Sequence, residues 1–243
     1  MAPYINHKKM AMAGPAEGVY WQDGLLKSRM YDDLYCSKEG GDDETRHVFI
    51  GGNNLGERWA KLEEDEVFTI CELGFGTGLN FLTTVDAWLA AKPKGRLVYL
   101  SYELHPLDLF DVRKHLEKHE SLSPYILEFS KTYKTIHSED FMAPDDFMGV
   151  QLQVLNHNAL EHLPEADFMA DAWYLDGFAP SKNPELWDEK LMLALGKHTK
   201  PEGTFATYSA ARHVRDKLEA AGFNVTKTEG FGKKRDMLFG VLA

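Results

Sequence analysis

From Val67 onward the chain repeats one pattern: a short apolar run, a turn, then a longer segment whose apolar residues recur at three- and four-residue steps. Such alternation commits a chain to a mostly parallel sheet, because parallel neighbours can be joined only by a connection that returns over a face of the sheet, usually a helix. The pattern predicts strands at 67–73, 97–102, 150–155, 172–175, 204–209, 224–229 and 237–242, and helices near 79–91, 107–118, 184–198 and 211–221. In the first helix Phe81, Leu82, Val85, Trp88 and Leu89 form one stripe to bury. Pro201-Glu202-Gly203 reads as the turn into the fifth strand, and Gly222 stops the helix before the sixth. The stretch 120–149 is longer than a crossover requires and is expected to add a helix and a ribbon at one sheet edge.

Residues 1–18 read as a flexible arm, 19–60 as an aromatic covering segment, and 67–243 as the core, with 19–243 forming one domain. The longest apolar runs fall short of the roughly 18 residues a membrane span needs, and the start has no signal-peptide centre, so the expectation is a cytoplasmic protein with no membrane contact. Two cysteines allow one bridge at most; Cys71, inside a strand pattern, reads as a small buried hydrophobe. The ten histidines show no His/Cys ligand spacing, and a metal site is not expected. A formal charge of −11 excludes binding nucleic acid over the whole surface; any such contact must be local.

The segment "CELGFGTGLNF" places Gly74, Gly76 and Gly78 directly after the first strand. In open parallel sheets ligands sit beyond the carboxyl ends of the strands, where the amides of a tight turn meet them. The spacing is G-x-G-x-G rather than the dinucleotide G-x-G-x-x-G, and Glu72 beside it would repel a pyrophosphate. It suits a cationic ligand, one carrying an amino group and a sulfonium. Glu103 ends the second strand, where an acid can accept both hydroxyls of a ribose; alone, it would read as a solvated strand-end charge. His157, Asn158 and Ala159 end the third strand, and the Asn158 amide can both accept from and donate to an adenine. With Asn80 at the start of the following helix, these strand ends describe a site for S-adenosylmethionine.

The fourth strand ends "YLDGFAPSKNPELW". Amine methylation needs a nitrogen lone pair in line with the donor methyl, and an alkyl amine with a pKa near 10 is mostly protonated at neutral pH. Asp176 can hold one N–H and offset the positive charge growing on nitrogen, while Phe178 and Pro180 exclude water and fix direction. The alternative for Asp176 is a helix cap, but the helix is expected to start near Pro184, with Ser181 or Asn183 as its cap.

From about Trp21 to the end, "DGLLKSRMYDDLYCS", "ETRHVFIGGNNLGERW", "ELGFGTGLNF", "YELHPL", "DAWYLDGFAPSKNPELW", "GTFATYSAARHVRDKLEAAGF" and "GFGKKRDML" occur in order. In these the chain resembles the methyltransferase domain of the bacterial bifunctional tRNA 5-methylaminomethyl-2-thiouridine biosynthesis proteins and their single-domain relatives. The resemblance implies a Rossmann-like class I S-adenosylmethionine-dependent methyltransferase, an α/β fold with a mostly parallel seven-stranded sheet and helices on both faces. It implies methylation of the 5-aminomethyl group of the tRNA wobble uridine, usually 2-thiolated. Glu72, Gly74, Gly76, Gly78 and Glu103 would hold the cofactor, and Asp176 would lie beside the reactive methyl. The chain ends too early for the relatives' oxidase domain, so a separate enzyme is expected to supply the aminomethyl intermediate. Where the family reads "GDA", this chain has His157-Asn158-Ala159, and an amide in place of a carboxylate predicts cofactor binding weaker by about 1 kcal/mol.

Lys227, Lys233, Lys234 and Arg235, with Phe231, lie between the last two strands; they read as tRNA phosphate contacts or as a solvated hairpin tip. Lys182 and Arg212 are further candidates. Tyr31 and Tyr35 could cover the cofactor, stack a flipped uridine or merely cover a strand edge. Two other functions stay open from the residues alone: methyl or aminopropyl transfer to a free small amine, and a non-catalytic nucleoside-binding module.

Overall fold

In the computed structural model, residues 18–36, 41–134, 141–142, 147–232 and 236–243 are described. The arm expected at 1–18 lies outside them except for Gly18. The chain opens with a small antiparallel sheet, β1 (Val19–Gln22), β2 (Leu25–Ser28) and β3 (Asp33–Leu34). Asp23 and Gly24 both take positive φ, the two-residue turn that an Asp-Gly pair favours between antiparallel strands. Helix α1 (Gly41–Thr45) runs into a wider turn at Arg46–Gly51, and α2 (Leu55–Trp59) follows.

The core then unfolds as the alternation requires. Its elements in chain order are β4 (Val67–Leu73), α3 (Leu79–Ala91), β5 (Arg96–Tyr102), α4 (Leu109–Leu116), α5 (Ser123–Tyr133), β6 (Phe141–Met142), β7 (Val150–Leu155) and α6 (Ala159–His162). They are followed by β8 (Ala170–Leu175), α7 (Glu189–Lys197), β9 (Thr199–Thr207), α8 (Arg212–Ala220), β10 (Phe223–Glu229) and β11 (Asp236–Leu242). Across the sheet the order is β10-β11-β9-β8-β4-β5-β7-β6. The five central strands β9, β8, β4, β5 and β7 are parallel, and β11, β10 and β6 are antiparallel to their neighbours.

All seven expected strands are present. The two-residue β6, paired with β7, and α5 are the helix and ribbon expected at the sheet edge. Both faces of the sheet are covered. One apolar cluster joins Phe68, Ile70, Leu97 and Tyr99 to α3, α4, α5 and the N-terminal elements; the other joins Cys71, Leu73 and Leu100 to α6, α7 and α8. Cys71 is a fully buried free thiol, as its strand pattern implied. No helix among the described residues is long and apolar enough to cross a membrane.

Three local expectations differ. Strand β9 begins at Thr199 and passes through Pro201-Glu202-Gly203, absorbing them as a register shift against β8 between Ala170 and Ala172, with Glu202 at φ 61°. Expected as one helix, 184–198 is a short 3-10 turn at Pro184–Trp187 followed by α7, because the Asp188 side chain accepts from the Lys190 amide and starts a new helix there. Leu89 is 37% exposed, so the buried stripe of α3 ends at Trp88.

Candidate active site

The carboxyl ends of the parallel strands lie along one edge, and a cavity of about 920 Å³ opens there, large enough for a nucleoside cofactor and a second ligand. Its floor comes from the turns after β4, β5, β7 and β8; its roof is the β1–β3 sheet, which contributes Tyr31 and Tyr35. Strand order reverses at β4, flanked by β5 on one side and β8 on the other, and this is where a doubly wound sheet leaves a crevice.

At that crevice each glycine has a different reason. A Cβ on Gly74, at φ 96°, would stand 2.9 Å from the Asp176 carbonyl oxygen, so the close approach is between two strand-end turns. Gly76, at φ 54°, lies against the Tyr35 ring at the cavity wall, a Cβ there falling 3.4 Å from Cδ1. At Gly78, φ 76°, a Cβ would lie 2.5 Å from Cζ of Phe129, so this glycine admits a core aromatic and does not line the cavity.

Alternation along β4 sends Phe68, Ile70 and Glu72 to the same face, and Glu72 is fully buried. Its Oε1 accepts from Asn80 Nδ2 at 2.8 Å and its Oε2 from Ser101 Oγ, its neighbour in register on β5, also at 2.8 Å. The same Asn80 nitrogen lies 2.5 Å from Asp176 Oδ2, and Thr45 Oγ1 donates to Asn80 Oδ1. Asn80 thus joins two acids, the buried Glu72 and the cavity-lining Asp176. Burial, and then the charge of Asp176, push the Glu72 carboxyl up to about 8 against the opposing hydrogen bonds. At neutral pH this favours the protonated form of Glu72. An acid pair under this strain fits a cation, as a sulfonium or an amino group would supply.

Glu103 lies at the tip of β5, within the cavity wall. Its Oε2 accepts from the Gly76 amide and its Oε1 from the His105 amide, both at 2.8 Å, which fixes the carboxylate while leaving lone pairs for a diol. Asn158 and Ala159 line the cavity after β7, and Asn158 Oδ1 also caps α6 by accepting from the Leu160 amide at 3.0 Å. The sequence reading foresaw the position but not the cap.

Phe178 follows Asp176 into the cavity wall, its ring centroid 4.9 Å from Tyr31 and 5.1 Å from Tyr35. Pro180 is on the same loop but outside the lining. Two ties bind this loop to the roof: the Ala179 amide donates to Asp33 Oδ2 at 3.0 Å, and Lys182 Nζ donates to the Asp32 carbonyl and pairs with its carboxylate at 3.6 Å. Lys182, expected at phosphates, is thus engaged within the chain. Arg212 is exposed with only a 3.8 Å pairing to Asp216, and Lys227 pairs with Asp236 at 2.7 Å. Lys233, Lys234 and Arg235 lie outside the described residues. Sequence reasoning missed Thr45, Ser101, Asp32 and Asp33, whose roles depend on contacts far apart in the chain. It also passed over His115 and His119, whose four-residue spacing was readable.

The profile of a family described as S-adenosyl-L-methionine-dependent methyltransferase matches residues 112–243. Among curated proteins, the chain is similar to the tRNA 5-methylaminomethyl-2-thiouridine biosynthesis bifunctional protein MnmC of Marinobacter nauticus, 40% identical over 232 residues, 94% of this chain and 37% of that protein. The protein of the same name from Methylobacillus flagellatus is 42% identical over 221 residues, covering 90% of this chain and 34% of its own length. That from Saccharophagus degradans is 34% identical over 261 residues, covering 99% and 37%. The chain thus spans little more than a third of the length of these relatives. Among solved structures, MNMC2 from Aquifex aeolicus superposes with a TM-score of 0.70 at 23% identity, covering 95% of this chain and 72% of that one, which shows a shared fold. A cavity at the switch point of a mostly parallel sheet, an acid pair suited to a cation, and a profile match over more than half the chain agree: the chain belongs to the S-adenosyl-L-methionine-dependent methyltransferase family.

Proposed function

We propose that this chain methylates the aminomethyl nitrogen on carbon 5 of the wobble uridine in tRNA, giving 5-methylaminomethyluridine or its 2-thio form. The observation that carries the reading is Asp176, joined to Asn80 at 2.5 Å, facing the same cavity as Glu103 and the aromatic group of Tyr31, Tyr35 and Phe178. Relatives named for making 5-methylaminomethyl-2-thiouridine in tRNA, 34% to 42% identical, support it.

When bound, S-adenosylmethionine supplies an electrophilic methyl on a sulfonium. The chain's own residues do the rest. Glu103, fixed by the Gly76 amide, accepts the ribose hydroxyls, Gly74 and Gly76 keep the cavity wall free of side chains, and Asn158 with Ala159 borders the base. Asp176 holds an N–H of the acceptor amine and balances the charge that grows on its nitrogen. Tyr31, Tyr35 and Phe178 give the uracil ring a stacking wall and keep water out.

The phosphate contacts proposed here follow from charge accounting. Among the described residues Arg46, Lys131, Lys200 and Arg215 pair with carboxylates at 2.6 to 2.8 Å. Four cations of the roof and α4 do otherwise. Lys27 and Arg29 lie over Tyr20, and Lys114 and Lys118 over Trp21 at 4.2 and 4.4 Å. In so acidic a chain, charges held against aromatic rings, and for Lys118 also by the Gly24 carbonyl, rather than by carboxylates form a local surface for an RNA backbone. Lys233, Lys234 and Arg235 remain proposed contacts of the same kind. The reading also requires an activity, in the same polypeptide or a separate one, that makes the aminomethyl group.

The test is transfer of labelled methyl from S-adenosylmethionine to tRNA lacking the final methyl, followed by nucleoside analysis. Label in 5-methylaminomethyluridine, with kcat lowered roughly a hundredfold by Asp176→Ala, is the expected result. Transfer to free amines but not to tRNA would overturn the substrate, and an unchanged rate in Asp176→Ala would overturn the role of that acid.

A further inference from the structure

Outside the Asp176 network, three soft or borderline donors converge where the roof meets α4. The Cys36 sulfur and one ring nitrogen each of His115 and His119 all lie within 4.8 Å of one another. His115 lies in the last turn of α4 and His119 three residues beyond the helix end, where the chain turns back and brings the two ring centroids to 5.4 Å, and Cys36 comes from the segment just after β3.

The surroundings are built for ligation in two ways. Each histidine is held at Nδ1: His119 by Asp42 Oδ1 at 2.8 Å, and His115 by Thr77 Oγ1 at 3.0 Å. Asp42 is itself fixed by Ser121 Oγ at 2.6 Å. A carboxylate on Nδ1 leaves Nε2 with its lone pair outward, the outer-shell arrangement that zinc-binding histidines use. Gly41 also lets the backbone close onto this group, because a Cβ there would lie 2.4 Å from the Cys36 sulfur, 2.5 Å from Leu79 Cδ2 and 3.3 Å from His119 Cε1.

We propose that Cys36, His115 and His119 bind a thiophilic divalent cation, zinc being the best match to one thiolate and two imidazoles. Cys36 loses its thiol proton to solvent on binding. Zinc–sulfur and zinc–nitrogen bonds of about 2.3 and 2.0 Å require the donors to draw together by about 1 Å, within reach of side-chain rotation. The thiolate and the neighbouring Asp42 together balance the two charges of the ion. Water fills the fourth position on the cavity side, which Cys36 and Thr77 both line. The ion would clasp the roof to α4 one residue after Tyr35, fixing the aromatic wall in place.

The full chain, stripped with a chelator and titrated with cobalt(II), should develop a thiolate-to-metal charge-transfer band and tetrahedral d–d bands that saturate at one ion per chain. Zinc should displace cobalt and raise the melting temperature. Cys36→Ser should abolish the charge-transfer band, His119→Gln should weaken binding at least tenfold, and Asp42→Asn should weaken it ten- to a hundredfold at unchanged stoichiometry. Far-ultraviolet circular dichroism of the metal-free variants checks that they fold. Binding that is absent, or that is identical in Cys36→Ser and His119→Gln, overturns the proposal.

Discussion

Asn80 Nδ2 sits 2.5 Å from Asp176 Oδ2, although Asn80 belongs to the first turn of α3 and Asp176 to the loop after β8. One amide therefore sets the position of the acid proposed to face the acceptor amine, while its other bond reaches the buried Glu72.

Replacing Asn80 with Leu removes the shared donor and leaves Glu72 and Asp176 without it. The fold should lose about 1–3 kcal/mol, the usual cost of stranding buried polar groups. Methyl transfer should fall by roughly ten- to a hundredfold as Asp176 loses its fixed position. Urea denaturation and steady-state kinetics on tRNA measure the two effects. A normal kcat in a folded variant would remove Asn80 from the positioning role.

Glu72 makes the chain's stability depend on pH in a definite direction. Its carboxyl titrates near 4.5 when unperturbed and is pushed up to about 8 in the folded chain, by burial first and by Asp176 second. Between those values the folded state keeps a proton that the unfolded state has released. The stabilisation is thus full below about 4.5, declines as pH rises through the window, and is gone above about 8. Glu72→Gln should flatten this slope in denaturation curves taken from pH 5 to 9. A cationic cofactor favours ionised Glu72, so its binding near pH 7 should expel a proton; calorimetry in buffers of different ionisation enthalpy reads that directly.

Gly76 and Gly78 should fail differently when changed to Ala. At Gly78 the new methyl meets Phe129 at 2.5 Å on a positive-φ backbone, and a loss of about 1–3 kcal/mol in stability is expected. Gly76 also has positive φ, but its nearest atom is 3.4 Å away in Tyr35, so the loss of stability should be smaller, about 1 kcal/mol, and binding of the demethylated cofactor should fall as well because the new methyl stands at the cavity wall. Equal effects of both variants on stability and binding would contradict the separate roles.

Removing the aromatic-held cations Lys27, Arg29, Lys114 and Lys118 should raise KM for tRNA with little change in kcat. The slope of log affinity against log salt should fall by roughly 0.7–0.9 per cation removed. Filter binding at several salt concentrations checks this, and an unchanged slope would move the RNA surface elsewhere.

The strand ends were legible in the sequence because each functional residue there adjoins its own turn signal: Glu103 before His105-Pro106, Asp176 before Gly177, and the three glycines after β4. What each glycine makes room for was not legible, since Phe129 and the Asp176 carbonyl approach from distant segments. Glu72 reads as a ligand contact by position; that it is buried against Asn80 and Ser101 was not legible, since both faces of the sheet are covered and alternation along β4 does not set one apart. Lys182 looked free because its partner Asp32 is 150 residues earlier. The Asp188 cap that splits the 184–198 helix was readable and was outweighed by Pro184.

The bonds from Asp33 to Ala179 and from Lys182 to Asp32 make the roof and the acid-bearing loop a single mechanical piece. A displacement of the roof would be transmitted to the loop that carries Asp176, so the aromatic wall and the acid keep one fixed spacing, set by residues that touch neither ligand.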